Sequence, residues 1–512
     1  GEGGDDAPVS GIRVRYLYAS PLWGAGEPMR PLDVRADLEG LRHAAGVHTE
    51  IRVATAERLR RALISGLGAG VLHVSAHCLL LGSALCLVLE DAFGAPHVLS
   101  ARDLAAQGPW ENVELLVLLA CSSEGFAREL IRCCGLRRAV CCSFTVLDQA
   151  AHIFTSTFYQ ALGAGRGLLS CHELARAAVR GSPDERIAVE ADKFVLLGEP
   201  APGGAGAAGS LWAPAVERGL RPEPWPTWPR WPSAEDFVGR QDFATGIARA
   251  FEHRRVLCLF GQRGIGKTAF CHEFCHHFSA PGGRRFSAGA HLLDARSAVR
   301  RAAREGRAAE APEAQLVCAL LETLSGDAVA QPGQSPRSQL RSLVRRLDRA
   351  GDAWLLVVDG LPSSARGVDA DPQATSCFSS GPSSDDDATE AGRPPPTPTQ
   401  PLEALRAVLE ELLCASAQMR LLLTARAPLR GPWAALGLSK VVEVEVPPLP
   451  PEDAARLLAR RAARPMYRRD FAGAFSGTGD VSQPMALDAD LLALLAASPL
   501  ASKLGGVPGR IV

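Results

Sequence analysis

No sign of charge prevails in this chain. Its 55 basic and 56 acidic side chains leave a net charge of −1 over 512 residues, so the charge of the whole chain gives no argument for nucleic acid or an anionic membrane as partner. Metal-type cysteine spacing is missing too. There are 14 cysteines, but the densest group, Cys133-Cys134 and Cys141-Cys142, consists of adjacent pairs without the C-x2-C steps of a zinc framework. They read as small apolar residues, and reduced thiols fit a cytoplasmic protein. No repeat of fixed period is found. The chain opens Gly-Glu-Gly-Gly, without methionine and without the pattern of a signal peptide. It is expected to lack its natural start.

A membrane span is the next exclusion. From Ala62 to Leu89 the chain carries no Asp, Glu, Lys or Arg, a stretch longer than the roughly 20 residues a spanning helix needs. Glycines, serines and two histidines dilute it, however, and it divides into "VLHVS" and "ALCLVLE", which read as two strands. What remains is an ordinary globular balance, 47% hydrophobic and 22% charged, with length for about three domains.

Residues 1–199 alternate strands and helices. "IRVRYLY" is β-branched and alternating at its start, and "VLHVS", "ALCLVLED" and "ELLVLLA" are apolar runs. Between and after them stand helical patterns, among them "SARDLAAQG" with a capping box from Ser100 to Asp103. Such alternation predicts an α/β fold with a mostly parallel sheet covered on both faces. Residues 200–235, from "APGGAGAAGS" to "RPEPWPTWPRWPS", have the composition of a proline-tryptophan linker. A second α/β pattern fills 236–450. It is broken at 362–400 by a Ser-, Asp- and Pro-rich insert expected to be disordered. Residues 451–512 read as helical.

The first chemistry lies at "ELLVLLACSSEG" (114–125), where an apolar strand delivers Cys121 into a short polar turn. Cysteine is among the most buried residue types, so the sulfur could be core filler. A thiol nucleophile, by contrast, needs a base within hydrogen-bond reach. His77 stands two residues past "VLHVS" and Cys121 directly past "ELLVLLA". If those two strands are neighbours in a parallel sheet, imidazole and sulfur reach the same rim. His73 lies within the strand and reads as a core residue.

The order "VLHVSAHC", "LLVLLACSSEGFARELIRCCGLRRAVCCSF", "VLDQAAHIFTSTFYQALGAG", "ELARAAV", "FVLLGEP" resembles the CHAT domain, a caspase-fold peptidase module related to separase, over roughly residues 10–199. The resemblance implies a caspase-like fold, His77 as general base, Cys121 as nucleophile and Asp148 near the substrate pocket. One residue departs from the family. Where the family usually has glycine after the histidine, this chain has Cys78, which tolerates positive φ poorly. Two readings therefore stand, an active cysteine endopeptidase and a catalytically inactive adaptor.

The second chemistry is "RVLCLFGQRGIGKTAF". It carries G-x-x-x-x-G-K-T from Gly261 through Gly264 and Gly266 to Lys267 and Thr268, between a strand and a helix. In this motif backbone N–H groups turn inward on phosphates, Lys267 reaches the β- and γ-phosphates, and the Thr268 hydroxyl binds Mg²⁺. "AWLLVVDG" supplies Asp359 as the acidic partner of the metal, and "RLLLTAR" ends on Thr424 and Arg426, placed to sense a γ-phosphate.

With "FVGRQDF" ahead of the loop and "KLGGVPGR" near the end, residues 236–512 resemble the NB-ARC or STAND class of signalling P-loop NTPases. By that resemblance ATP or ADP with Mg²⁺ is the cofactor, Val238 and Arg240 lie near base and ribose, and Gly506 and Pro508 belong to a nucleotide-contacting motif. Many members carry a second acid after the metal aspartate. Here Gly360 follows, which implies slow hydrolysis and a switch more than a motor. The resemblance also implies self-association through the NTPase part, control of a protein substrate or effector partner, and a chain ending short of a sensor repeat array. An ordinary metabolic ATPase is the third function class, and Gly360 argues against it.

Overall fold

The computed structural model describes residues 12–198 (apart from 22, 25–26, 30–31, 45–46, 65–69 and 83), 237–279, 285–305 (apart from 287), 312–325, 335–349, 353–361, 400–461, 489–498 and 505–511. The expected linker at 200–235 and nearly all of the insert at 362–400 lie outside the described residues. The described residues fall into two compact units, the first over 12–198 and the second over 237–511.

The first unit is built on β1 (Ile12–Tyr18), α1 (Val34–Arg42), β2 (Val47–Val53), α2 (Ala56–Ile64) and β3 (Val71–Ser75). After β3 the chain forms a small antiparallel sheet from β4 (His77–Leu81), β5 (Ala84–Glu90) and β6 (Pro96–Ser100). The main sheet resumes with α3 (Ala101–Ala105), β7 (Leu115–Leu119), α4 (Glu124–Cys134), β8 (Arg138–Cys142), α5 (Asp148–Gly163), α6 (Leu168–Arg180) and β9 (Phe194–Gly198). Its order is β9-β8-β7-β3-β1-β2, parallel throughout except where β9 runs antiparallel to β8.

Burial explains the unbroken apolar strands. Along β7, Leu115, Val117 and Leu119 enter the core under α1, α5 and α6, whereas Leu116 and Leu118 enter the core on the opposite face. A central parallel strand has no solvent face, so its side chains alternate between two cores and the sequence shows no alternation. In the first unit β2, β4 and β6 escape sequence reading. In β2, "VHTEIRV", polar residues interrupt the pattern, and it lies at the sheet's edge. β6 begins on a proline, and with β4 and β5 it makes an antiparallel trio before α3 where the sequence reads only "ALCLVLE".

His73 is wholly buried on β3, with Nδ1 2.9 Å from the Tyr159 hydroxyl and its ring 4.6 Å from that of Tyr16. Tyr16 in turn donates to buried Asp37 over 2.9 Å. Burial pushes the Asp37 carboxyl up to about 6, against the opposing pull of His152, whose Nε2 stands 3.3 Å away.

The second unit holds α7 (Gln241–His253), β10 (Val256–Phe260), α8 (Lys267–Phe278), β11 (Ala290–Asp294), α9 (Ala295–Glu305), α10 (Pro312–Ser325) and α11 (Pro336–Arg349). It continues with β12 (Trp354–Leu361), α12 (Gln400–Ala415), β13 (Met419–Ala425), β14 (Val442–Glu445) and α13 (Pro451–Arg461). All five strands are parallel, in the order β11-β12-β13-β10-β14. In β12 the residues from Trp354 to Val358 are fully buried, and the register slips between Val358 and Leu361. That bulge brackets Asp359 and Gly360, and Gly360 takes a φ of 83° that an L side chain rarely adopts.

Burial lowers the His73 pKa to about 3. A histidine depressed in the folded state contributes stability that is present above its unfolded pKa near 6.5 and lost as pH falls toward the folded value. Denaturant unfolding should therefore show the wild type losing about 2 kcal/mol more than His73→Gln between pH 7.5 and pH 5. Equal losses would remove His73 as the source.

Candidate functional site

In the first unit, β3 and β7 pair in parallel with Ser75 opposite Leu119. His77 and Cys121 each lie two residues later, so the register brings both to the carboxyl edge of the same two central strands. The polar segment after the strand turns the chain there. Ser122 takes a φ of 55° and its N–H donates to the Phe144 carbonyl over 3.2 Å. Ser123 is fully buried; its hydroxyl donates to the Leu118 carbonyl over 3.1 Å and accepts from the Cys142 N–H over 3.1 Å. It thus ties β7 to β8 two residues past Cys121. Glu124 then opens α4.

The strain expected at Cys78 does not arise. Cys78 lies in extended β4 opposite Leu87, and the left-handed residue at this rim is Ser122. Burial pushes the Cys78 thiol up to about 11, with Cys86 and Cys121 as its electrostatic neighbours. Cys78 therefore stays protonated near neutral pH. Asp148 is the first residue of α5, which leaves the sheet just after β8. One helical turn further, His152 reaches the Asp37 carboxylate. That buried acid is not legible in the sequence, because nothing local pairs residues 37 and 152.

In the second unit the P-loop runs from β10 into α8. Gly264 and Gly266 take φ values of 82° and 90°, which turn the loop back over the start of the helix. The Lys267 Nζ donates to the Gly261 carbonyl over 2.6 Å and the Gln262 carbonyl over 3.0 Å. Thr268 Oγ1 donates to Asp359 Oδ2 over 2.7 Å. A phosphate chain with Mg²⁺ fits this donor set, with a glycine cradle opening on a helix N-terminus and a hydroxyl beside a carboxylate as hard oxygen ligands.

Thr424 corrects its sequence reading. It is fully buried, donates to Asp359 Oδ1 over 2.6 Å and accepts from the Gly360 N–H over 2.7 Å. It orients the aspartate and bulge and does not reach outward as a sensor. Arg426 comes directly after β13, and its charge is felt at Lys267. Burial lowers the Lys267 pKa, Asp359 raises it, and Arg296 and Arg426 lower it further.

Val238 and Arg240 each take defined positions beside the P-loop region. Val238 packs with Leu449, Ala454 and Leu457. Arg240, its pKa lowered to about 10 by burial, donates to the Pro447 carbonyl over 3.0 Å and the Gly266 carbonyl over 3.4 Å. It therefore clamps the P-loop backbone. The segment around Pro508 seats on the same loop. The Gly509 N–H donates to the Gly264 carbonyl over 2.8 Å, and a Cβ on Gly509 would lie only 2.7 Å from Gly264 Cα. Gly506 accepts from the Leu449 N–H over 2.8 Å. Sequence reasoning misses Arg296 altogether. It lies two residues past β11, at the same strand edge, and that position is the signal that could have found it.

Among the described residues no group of three or more His, Cys, Asp and Glu is arranged to hold a metal, and no helix is long and apolar enough to cross a membrane. No curated protein matches the chain. Among solved structures, a Walker-type ATPase of Pyrococcus abyssi is 15% identical, with 55% of this chain and 67% of that one covered and a TM-score of 0.29. The ORC2 protein of Aeropyrum pernix, in ADPNP–ADP complexes, is 15% identical over 45% of this chain and 55% of its own, again at 0.29. PCH-2 of C. elegans is 13% identical over 54% and 63%, also at 0.29. Likenesses this slight add nothing to the geometry. Residues 33–219 match the family described as the CHAT domain.

Proposed function

We propose that this chain is a signalling protein in which a nucleotide-binding switch controls a cysteine endopeptidase. The observation that carries the peptidase reading is the β3–β7 register, with His77 and Cys121 each two residues past the Ser75–Leu119 pair. In this reading Cys121 attacks the carbonyl carbon of a peptide bond while His77 takes the thiol proton. His77 then gives the proton to the departing amine, and water releases the acyl group from sulfur. Asp148, at the start of α5, contributes to the pocket that receives the substrate side chain.

The switch reading is supported by the Thr268–Asp359 contact and by the docking of the Gly506–Gly509 segment on the P-loop. When bound, a nucleoside triphosphate with Mg²⁺ supplies negative charge and oxygen ligands to this cradle. Lys267 neutralises that charge, Thr268 and Asp359 hold the metal, and Arg240 and Gly509 keep the loop shaped for it. Because Gly360 brings no acid to orient water, slow turnover is expected. Nucleotide exchange would then favour self-association through the second unit and bring peptidase units together in the cytoplasm, near a protein substrate.

A thiol-reactive peptide-like probe tests the first part. Labelling should concentrate on Cys121 and fall at least tenfold in His77→Ala. Labelling that ignores His77 would leave the inactive adaptor as the reading. Titration calorimetry tests the second part, with ADP and a non-hydrolysable triphosphate each expected to bind the wild type with Mg²⁺. Lys267→Ala should weaken both by about tenfold or more, as loss of a charge-assisted contact does. Absence of uptake by the wild type would remove the switch.

A further inference from the structure

Gly360 stands where many relatives by resemblance carry the acid that orients water, and the structure fills that place with another group. A Cβ built on Gly360 would lie 3.0 Å from Arg296 Nε and 3.2 Å from its Cγ. Arg296 Nε donates to the Gly360 carbonyl over 3.2 Å, so the side chain is tethered beside the bulge. Its own backbone is set by Asp294, whose carboxylate accepts from the Arg296 and Ser297 N–H groups and from the Ser297 hydroxyl. Asp294 and Asp359 are register partners at the ends of β11 and β12.

Arg296 is exposed. Among the described residues it has no carboxylate partner. A tether through Nε leaves the terminal nitrogens as donors, the part of the fork that recognises phosphate oxygens. Three cations thus gather around one metal-binding carboxylate: Lys267 in the P-loop, Arg426 past β13 and Arg296 past β11. Both arginines follow strands of the sheet that carries Asp359, and Arg296 lies against Gly360, the residue after Asp359.

From this we infer that Arg296 is a specificity residue for the terminal phosphate: it occupies the space of the missing acid, donates to γ-phosphate oxygens and makes the site prefer a triphosphate to a diphosphate. The inference rests on the nucleotide reading of the P-loop. By the resemblance, an acid following Asp359 would orient the water that attacks the terminal phosphate. A cation there would attract the terminal phosphate, while the loop amides would hold the inner phosphates. The exchange of acid for arginine reverses the local charge, so the position binds the phosphoryl group instead of activating water against it.

The test uses the full chain with Mg²⁺, fluorescent ADP and its non-hydrolysable triphosphate counterpart. Wild type should bind the triphosphate more tightly. Arg296→Ala should weaken triphosphate binding by about tenfold or more and diphosphate binding by less than about twofold. Arg296→Lys, which keeps the charge, should recover part of the loss. In Gly360→Asp the new carboxylate should draw Arg296 away and reproduce the loss of preference. Equal weakening of both nucleotides, an unchanged ratio, or no triphosphate preference in the wild type would overturn the inference and leave the P-loop reading intact. A wild type that binds neither nucleotide would overturn both.

Discussion

In a parallel sheet every strand finishes at the same edge, and the residue after each strand is delivered to a common rim. Each unit of this chain depends on that constraint. In the first, one step of register aligns Ser75 with Leu119, and the next two residues of each strand bring an imidazole and a thiol to the same rim. In the second, the same rule gathers the P-loop after β10, Asp359 near the end of β12, Arg426 past β13 and Arg296 past β11. A slip of one residue in the β3–β7 pairing would exchange the side chains that enter the two cores and move His77 and Cys121 out of step.

The segments just past the strand ends do different work in the two units. Beyond Cys121 the chain must turn at once, and Ser122 accepts a left-handed backbone to do so. Buried Ser123 satisfies two backbone groups of β7 and β8 in the same turn. Leaving such groups unpaired would cost about 1–3 kcal/mol. The polar Ser-Ser pair thus gives the turn both its shape and its hydrogen-bond closure. Around the P-loop the corresponding job is shared. Thr424 and Thr268 fix both oxygens of Asp359, while Arg240 and Gly509 bind the outer carbonyls of the loop.

Several features are legible in the sequence because they are local. The unbroken apolar run of β7 signals burial on both faces, and "GQRGIGKT" signals a phosphate cradle by spacing alone. The capping box at Ser100 and Asp103 is present in both its halves. Other features are not legible because their partners are distant. β2 hides behind polar residues at an edge, Asp37 meets His152 across the fold, and Thr424 is drawn inward by Asp359. The strain expected at Cys78 is absent for a related reason. Backbone φ at that position is decided by β4 pairing with β5, which no single residue type reveals.

The sequence by itself determined the alternation of strands and helices, the presence of a thiol and an imidazole past strand ends, and the P-loop with its threonine and aspartate. Those come from periodicity and short-range spacing, which one chain segment carries alone. Tertiary structure decided which strands are neighbours, and hence that His77 shares an edge with Cys121. It also decided that Arg296 fills the space beside Gly360. Both depend on sheet order and on the bulge in β12, and these arise only when residues far apart in the chain compete for the same hydrogen bonds and the same buried volume.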